Sequence, residues 1–465
     1  MTRAGLSCLA EVAEALGIAP LEHDFEMANG EPANTAVADI VTDTRKLASG
    51  DLFVALVGER FDAHDFIAQA RKAGAVAAVV EKRVDDPLPQ LVVADTRLAL
   101  GLLGRARRRA WGKPLVAVTG NSGKTTVKQM LASLLEHAGS ILATHGNLNN
   151  DIGAPLTLLG LCAEHQQAVV ELGANHLGEI AWTASLAEPD VAVITNVTGA
   201  HVGEFGGMGQ IAQAKAEVLA SLSGDGVAVL NRDDRYYHLW ERLAAPCTVL
   251  DFSLHEQARL RAETLVCDVQ GRYAFTLVYD GRRLGRVQLA LLGRHNVANA
   301  LAAAAAALAM GLDENLLIDG LARVQPMPGR LRLIEGIRGA RLMDDSYNAN
   351  PGALTAALET LANLPRPRWC LLGAMGELGE ASDALHAEAG SQAQALGVDV
   401  LVTLGAAARP ASQAFGDQGQ HFDDREALLR HVLHHLPPDA SVLVKGSRSA
   451  GMEAVVTALR PDASR

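Results

Sequence analysis

Apolar residues along this chain come mainly in short unbroken runs, each followed by a stretch whose apolar positions recur with helical spacing. Leu115-Val-Ala-Val, Ala168 to Glu171, Val191 to Thr195 and Val227 to Leu230 are such runs. A strand buried on both faces reads this way, and strands alternating with helices predict a parallel, doubly wound α/β sheet. Before them, residues 1 to about 95 open with a helical segment. Strands are then predicted at Asp51 to Leu56, Ala75 to Val80 and Leu91 to Val93, with a helix over Phe66 to Lys72. An amphipathic helix from Thr96 to Ala110 leads into the Leu115 strand. Between Arg259 and Leu292 the pattern changes to alternation, with turn signals at Gln270-Gly271 and Asp280-Gly281, so hairpins are expected there as an antiparallel annex. An alanine-rich helix follows, and Met327-Pro-Gly-Arg330 reads as a linker. Strands at Arg341 to Asp344, Trp369 to Leu372, Val398 to Leu404 and Val442 to Val444 then alternate with helices in a second open α/β unit. The expected division is 1–95, 96–327 and 328–465.

Composition agrees with a multi-domain globular protein. The chain has 465 residues, 49% hydrophobic and 20% charged, and its 44 glycines suit many tight βα turns. A net charge of −12 argues against nucleic-acid binding, which needs a positive field. The one basic cluster, Arg105, Arg107, Arg108, Arg109 and Lys113, is expected to be a solvated helix face. Five dispersed cysteines, never spaced C-x-x-C, speak against a disulfide framework or a zinc site. No charged-then-apolar leader opens the chain and no apolar run is long enough for a membrane span, so a cytoplasmic location is expected.

The strand from Leu115 feeds Gly120-Asn-Ser-Gly-Lys-Thr-Thr126. Gly120 and Gly123 leave room for backbone N–H groups to converge on phosphate oxygens, and the helix beginning near Lys124 adds its positive end. Lys124 supplies a charge, and Thr125 or Thr126 a hydroxyl for Mg²⁺. Val118 stands where a full Walker A motif has glycine. Asn121 and Ser122 complete the predicted nucleotide loop. Glu171, at the C-terminal end of a predicted parallel strand, is placed where ligands of open α/β sheets collect, and reads as an Mg²⁺ ligand. Other signals are weaker taken alone. His201 fits a structural histidine, and Lys215, on an amphipathic helix, fits a snorkelling lysine. Asn147, Asn149 and Asn150 fit either a turn or an amide cluster for a polar ligand. Asn296 fits a helix cap or a contact to a base edge. Asp344-Asp-Ser-Tyr-Asn-Ala-Asn-Pro351 closes what reads as the first strand of the last unit.

Together these stretches resemble the Mur ligases, the ATP-dependent amide-forming enzymes of peptidoglycan precursor synthesis. The likeness runs through Asp43-Thr-Arg-Lys46, Gly120 to Thr126, Gly146 to Pro155, Glu171 to Ile180, Ala214 to Glu217, Gly293 to Asn296, Pro328 to Arg330, Asp345 to Pro351 and Val444 to Arg448. It departs from the family pattern at Asn121-Ser122. The resemblance implies a three-domain fold with a central ATPase sheet, and ATP and Mg²⁺ as cofactors. It implies that Lys124 and the loop amides hold phosphates, that Thr125 and Glu171 bind one Mg²⁺, and that His201 serves a second with a carbamylated Lys215. Asn296 would contact adenine, Asp345 the ribose, and Arg330 would neutralise developing charge. Asp43, Thr44, Arg45 and His64 would grip the UDP-sugar end of the substrate, with Asn147, Asn150, Tyr347 and Asn348 contacting substrate nearer the chemistry. Relatives that add diaminopimelate carry Asp-Asn-Pro-Arg, which this chain lacks. The implied substrates are therefore UDP-MurNAc-tripeptide and D-Ala-D-Ala, acted on by a monomer with no nucleic-acid partner and no membrane span. A folylpolyglutamate synthetase is the rival within the superfamily, expected to lack the long N-terminal domain. A non-enzymatic nucleotide switch is the rival outside it, with no need for the Asp345 and Lys445 motifs.

Overall fold

The structure, a computed structural model, describes residues 3–18, 34–58, 61–198 and 205–461. Three sheets follow one another along the chain. The first is parallel, in the order β1 (Ile40–Val41), β2 (Leu52–Val54), β3 (Ala77–Val80) and β4 (Gln90–Val92). The second has nine strands: β5 (Leu115–Thr119), β6 (Ile141–Ala143), β7 (Gln167–Glu171), β8 (Val191–Ile194), β9 (Val227–Asn231), β10 (Thr248–Ser253), β11 (Leu260–Cys267), β12 (Arg272–Tyr279) and β13 (Arg282–Leu292). Their spatial order is β13-β12-β11-β10-β9-β8-β5-β7-β6, parallel from β6 to β11 and antiparallel beyond. β5 pairs with β7 on one side and β8 on the other. The strand order therefore reverses there, and a crevice opens at the carboxyl end of β5.

The third sheet contains β14 (Arg332–Glu335), β15 (Arg341–Asp345), β16 (Arg368–Gly373), β17 (Val400–Leu404), β18 (Gly419–Phe422) and β19 (Ser441–Lys445), ordered β14-β15-β19-β16-β17-β18. All its pairs are parallel except β14 with β15. The predicted doubly wound central sheet and open C-terminal α/β sheet are both present. Two readings are corrected in detail. The expected hairpin annex is not separate, because β11 pairs in parallel with β10 and so prolongs the central sheet. The strand ending at Asp345 is the second of its sheet, since β14 precedes it.

One face of the central sheet is covered by the helices Lys124–Leu135 and His295–Ala309, and the other by Gly153–Leu159, Glu179–Ala187 and Met208–Ala216. Ala302 to Ala307 are all buried in the first of these layers. Their short side chains let the two covering helices approach closely, so that a Cβ added at Gly123, whose φ is +83°, would strike the Asn299 carboxamide.

The basic cluster is not a solvated face. The helix Thr96–Trp111 packs beside Glu179–Ala187 and Gly153–Leu159, which draws its arginines into contacts. Arg105 and Arg109 pair with Glu188, buried Arg108 donates to the carbonyls of Ala187 and Glu188 and to Asp190, and Arg107 is buried. Lys113, just beyond the helix, donates to the carbonyls of Ala163 and His165. Among the described residues no helix is long and apolar enough to cross a membrane.

Candidate active site

The C-terminal strand ends of the second and third sheets open onto one cleft of about 1110 Å³. On the central wall, β5 ends at Thr119 and the chain turns through Gly120 (φ +138°) and Gly123 into the helix Lys124–Leu135. The turn is fixed from β8: Asn196 Oδ1 accepts from Ser122 N at 3.0 Å, and Thr195 Oγ1 donates to Ser122 O at 2.7 Å. A side chain at Gly120 would strike Thr195. Lys124 Nζ donates to the carbonyls of Gly120 (2.7 Å) and Asn121 (3.2 Å). Burial pushes the Lys124 ammonium below its ordinary pKa, with Glu171 opposing the shift.

Glu171 ends β7 and is 2% exposed. Its Oε1 accepts from Asn149 Nδ2 at 2.8 Å and from Thr125 Oγ1 at 3.4 Å. Its Oε2 accepts no hydrogen bond and lies 3.4 Å from the ammonium of buried Lys128. Lys128 in turn donates to the carbonyls of Thr144 (2.7 Å) and Gly146 (3.3 Å). A buried carboxylate oxygen with no hydrogen bond, next to the hydroxyl of Thr125, suits a hard divalent cation. Among the described residues no three His, Cys, Asp or Glu side chains form a metal cage. Such an ion would therefore complete its shell with phosphate and water oxygens, as Mg²⁺ does.

Lys215 lies on the helix Met208–Ala216, 1% exposed, with Nζ 3.4 Å from the Ala174 carbonyl and 5.3 Å from the centre of the Phe205 ring. Burial, reinforced by the charge of Lys124, brings its pKa down to about 7. The snorkelling expectation is overturned, since this ammonium does not reach solvent. His201 lies outside the described residues.

The opposite wall comes from the third sheet and the linker before it. Asp345, ending β15, is ion-paired with Lys445, ending β19, and accepts from Leu331 N at 3.1 Å. Lys445 also donates to the Asn348 carbonyl at 2.9 Å. Arg330 reaches back to Thr125 Oγ1 (3.3 Å) while its guanidinium stacks 4.1 Å from the Tyr347 ring centre. Asn350 Nδ2 donates to Ser122 Oγ at 3.4 Å, giving Ser122 a partner across the cleft. Asn296 and Asn299 form a buried pair at the start of the alanine-rich helix. Asn299 Nδ2 donates to Asn296 Oδ1 (2.9 Å), and Asn296 Nδ2 donates to Leu292 O (2.7 Å). His295 beside them is held well below its usual pKa, at about 4, chiefly by burial and secondarily by Lys445, against the pull of Asp345.

Most predicted residues meet here. Asn121, Ser122, Gly123, Lys124, Thr125, Thr126, Asn147, Asn149, Asn150, Glu171, Asn296, Arg330, Asp345, Tyr347 and Asn348 all line the cleft. Asn150 Oδ1 also accepts from Gly153 N, so that residue serves as a turn as well. Asp43, Thr44, Arg45 and His64 belong to the first sheet's surroundings and do not line it. Asp43 and Arg45 pair with each other at 2.8 Å, which holds the Asp43 carboxyl down at about 2. His64 is buried, with Nδ1 on Asp62 and Nε2 accepting from Glu81 N at 2.9 Å. Lys128 was invisible to sequence reasoning, because an isolated lysine on an amphipathic helix carries no mark of burial.

Three family models match the chain: "Mur ligase family, catalytic domain" over residues 37–107, "Mur ligase middle domain" over 118–307, and "Mur ligase, glutamate ligase domain" over 329–448. The UDP-N-acetylmuramoyl-tripeptide–D-alanyl-D-alanine ligase of Escherichia coli is 44% identical over 94% of this chain and 97% of its own length. A crystal structure of MurF from Acinetobacter baumannii, 36% identical, superposes with a TM-score of 0.90 over 98% of this chain and 99% of that one. The MurF ligase of Thermotoga maritima in complex with ADP, 29% identical, gives 0.81 over 90% and 96%.

Proposed function

The chain belongs to the Mur ligase family, and from that premise we propose that its cleft joins D-alanyl-D-alanine to UDP-N-acetylmuramoyl-tripeptide at the expense of ATP. The reaction forms ADP and phosphate in cytoplasmic peptidoglycan precursor synthesis, and the enzyme works as a monomer. The observation that carries this reading is the meeting of a phosphate loop from one sheet with Arg330, Asp345 and Tyr347 from the next unit. A nucleotide switch needs no such second wall.

A carboxylate is a poor electrophile, so the reaction takes two steps. A carboxylate oxygen of the tripeptide attacks the γ-phosphorus of ATP and ADP leaves. The amine nitrogen of D-Ala-D-Ala then attacks the acyl carbon of the resulting acyl phosphate, and phosphate leaves. Catalysis is positioning plus neutralisation of charge in a water-poor cleft. In this reading Lys124 and the amides of Asn121 to Thr126 hold the β- and γ-phosphates, and Arg330 faces the transferred group. Thr125 and Glu171 hold one Mg²⁺, and Lys215 with His201 a second. Mg²⁺ supplies positive charge to the phosphate oxygens. An amine with a pKa near 7 has a large neutral fraction at cellular pH, which is the form that reacts with CO₂, and a carbamate on Lys215 would give the second ion an oxygen ligand. Asn296 meets adenine and Asp345 the ribose. Asn147, Asn150, Tyr347 and Asn348 contact the reacting substrates, while Asp43, Thr44, Arg45 and His64 take the UDP end.

The test is phosphate release from ATP and Mg²⁺ with each substrate alone and both together, comparing D-Ala-D-Ala with free diaminopimelate. Release that requires both UDP-MurNAc-tripeptide and D-Ala-D-Ala supports the reading. Faster turnover with diaminopimelate, or release independent of either substrate, overturns it.

A further inference from the structure

The incoming dipeptide is a zwitterion. Its amine must lie close to the phosphate-bearing end of the cleft, with its carboxylate pointing away. Among the described residues four lysines and arginines line the cleft, and three are closely engaged: Lys124 with its own loop carbonyls, Arg330 with Thr125 and Tyr347, and Lys445 with Asp345 and Asn348. The fourth, Arg448, follows β19 and is held loosely. It reaches Glu453 at 3.8 Å, its side chain is 70% exposed, and its guanidinium lies 5.7 Å from the Tyr347 ring centre. An exposed pair at that distance contributes little.

On the adjacent strand end, β16 leads into a loop carrying Glu377, which also lines the cleft. Its backbone sits at φ +62°, a conformation costly for a residue other than glycine and retained chiefly where a side chain is needed in place. Glu377 and Lys124 line the same cleft, so the carboxylate shares its space with the phosphate loop. The two loops touch, since a Cβ on Gly376 would lie 3.5 Å from Ser447. The strand ends thus place a negative group toward the phosphate loop and a positive group beyond the Tyr347 ring.

Building on the ligase reading above, we infer that Glu377 and Arg448 form the two ends of the dipeptide subsite, Glu377 holding the ammonium of D-Ala-D-Ala and Arg448 its free carboxylate. Tyr347 forms the wall between them, and specificity for a short zwitterion follows from the spacing of two opposite charges.

The experiment measures KM for each substrate in the wild type, Arg448→Gln, Glu377→Gln and Glu377→Gly, using D-Ala-D-Ala and its C-terminal amide as acceptors. The wild type should prefer the dipeptide to the amide. Arg448→Gln should raise the KM for D-Ala-D-Ala by about tenfold or more, the worth of one hydrogen bond to a charged group. It should leave the KM for ATP unchanged and erase the preference over the amide. Both glutamate variants should raise the KM for dipeptide and amide alike while keeping the preference. Glu377→Gly should be at least as stable as the wild type, because glycine suits the positive φ, which separates a binding defect from misfolding. An Arg448→Gln enzyme that still discriminates against the amide, or glutamate variants with unchanged dipeptide KM, overturns the inference and leaves the ligase reading standing. A wild type that does not accept D-Ala-D-Ala overturns both.

Discussion

Glu171 with Lys128 on the central wall, and Asp345 with Lys445 on the opposite one, are both buried lysine–carboxylate pairs whose carboxylate ends a parallel strand. In the first, the ions are 3.4 Å apart, Lys128 has two carbonyl acceptors of its own, and one carboxylate oxygen accepts no hydrogen bond. In the second, the ions are in tight contact, and the other carboxylate oxygen takes the Leu331 amide. A buried charge that is fully partnered holds structure together. One that is left partly open can take a ligand, which would offset the cost of burying it. The two pairs thus divide the labour, the first left open on one side and the second bracing a wall whose other residues face the cleft.

Five substitutions and one measurement of mass test this division. The largest effect on stability should come from Asp345→Ala, which leaves Lys445 buried without its ion partner and should cost the third sheet about 3–5 kcal/mol. Hydrogen exchange at residues 341–345 and 441–445 would report it, and unchanged protection there would show that the pair does not brace. Lys124→Ala should cost about 3 kcal/mol or more of transition-state stabilisation with the fold intact, read as a collapse of kcat beside an unaltered melting curve. Lys215→Ala should be similarly inactive and unresponsive to bicarbonate. The mass of the intact native protein should show one bound CO₂, and a fully active enzyme with an unmodified amine would refute the carbamate. Glu171→Gln should be milder on stability than Asp345→Ala, because Lys128 keeps its two carbonyls. It should raise the Mg²⁺ concentration for half-maximal activity by about tenfold or more.

The smallest effect concerns His295, which sits beside the bracing pair. Its pKa of about 4 in the folded protein lies below the ordinary 6.5. Between those values the unfolded chain binds more protons, so stability falls as pH drops from 6.5 towards 4. His295→Gln should remove that part of the acid sensitivity. Urea midpoints at pH 7 and pH 5 in the two proteins would check it.

The central strands were legible because burial on both faces writes itself as an apolar run, as in β5, β7, β8 and β9. The strands overlooked lack that signature. β6, β14 and β18 are edge strands of three or four residues whose side chains are partly or fully exposed, and β10 opens on exposed Thr248. The phosphate loop was legible because its glycines and Lys124 are contiguous. The pairing of Asp345 with Lys445 was not, since a hundred residues separate the partners and only the adjacency of β15 and β19 joins them. The basic helix misled for the same reason, because the partners of Arg105, Arg108 and Arg109, Glu188 and Asp190, arrive from elsewhere in the chain.

Arg330 lies at the junction between the second and third sheets, between Gly329 at φ +71° and Leu331 at φ +47°, so the backbone on either side of it is pinned. Its side chain nevertheless ends on the nucleotide loop at Thr125. The contact acts as an interlock between the last domain and the phosphate loop: it is made only while the two walls face each other, and a cleft opened at this junction would break it.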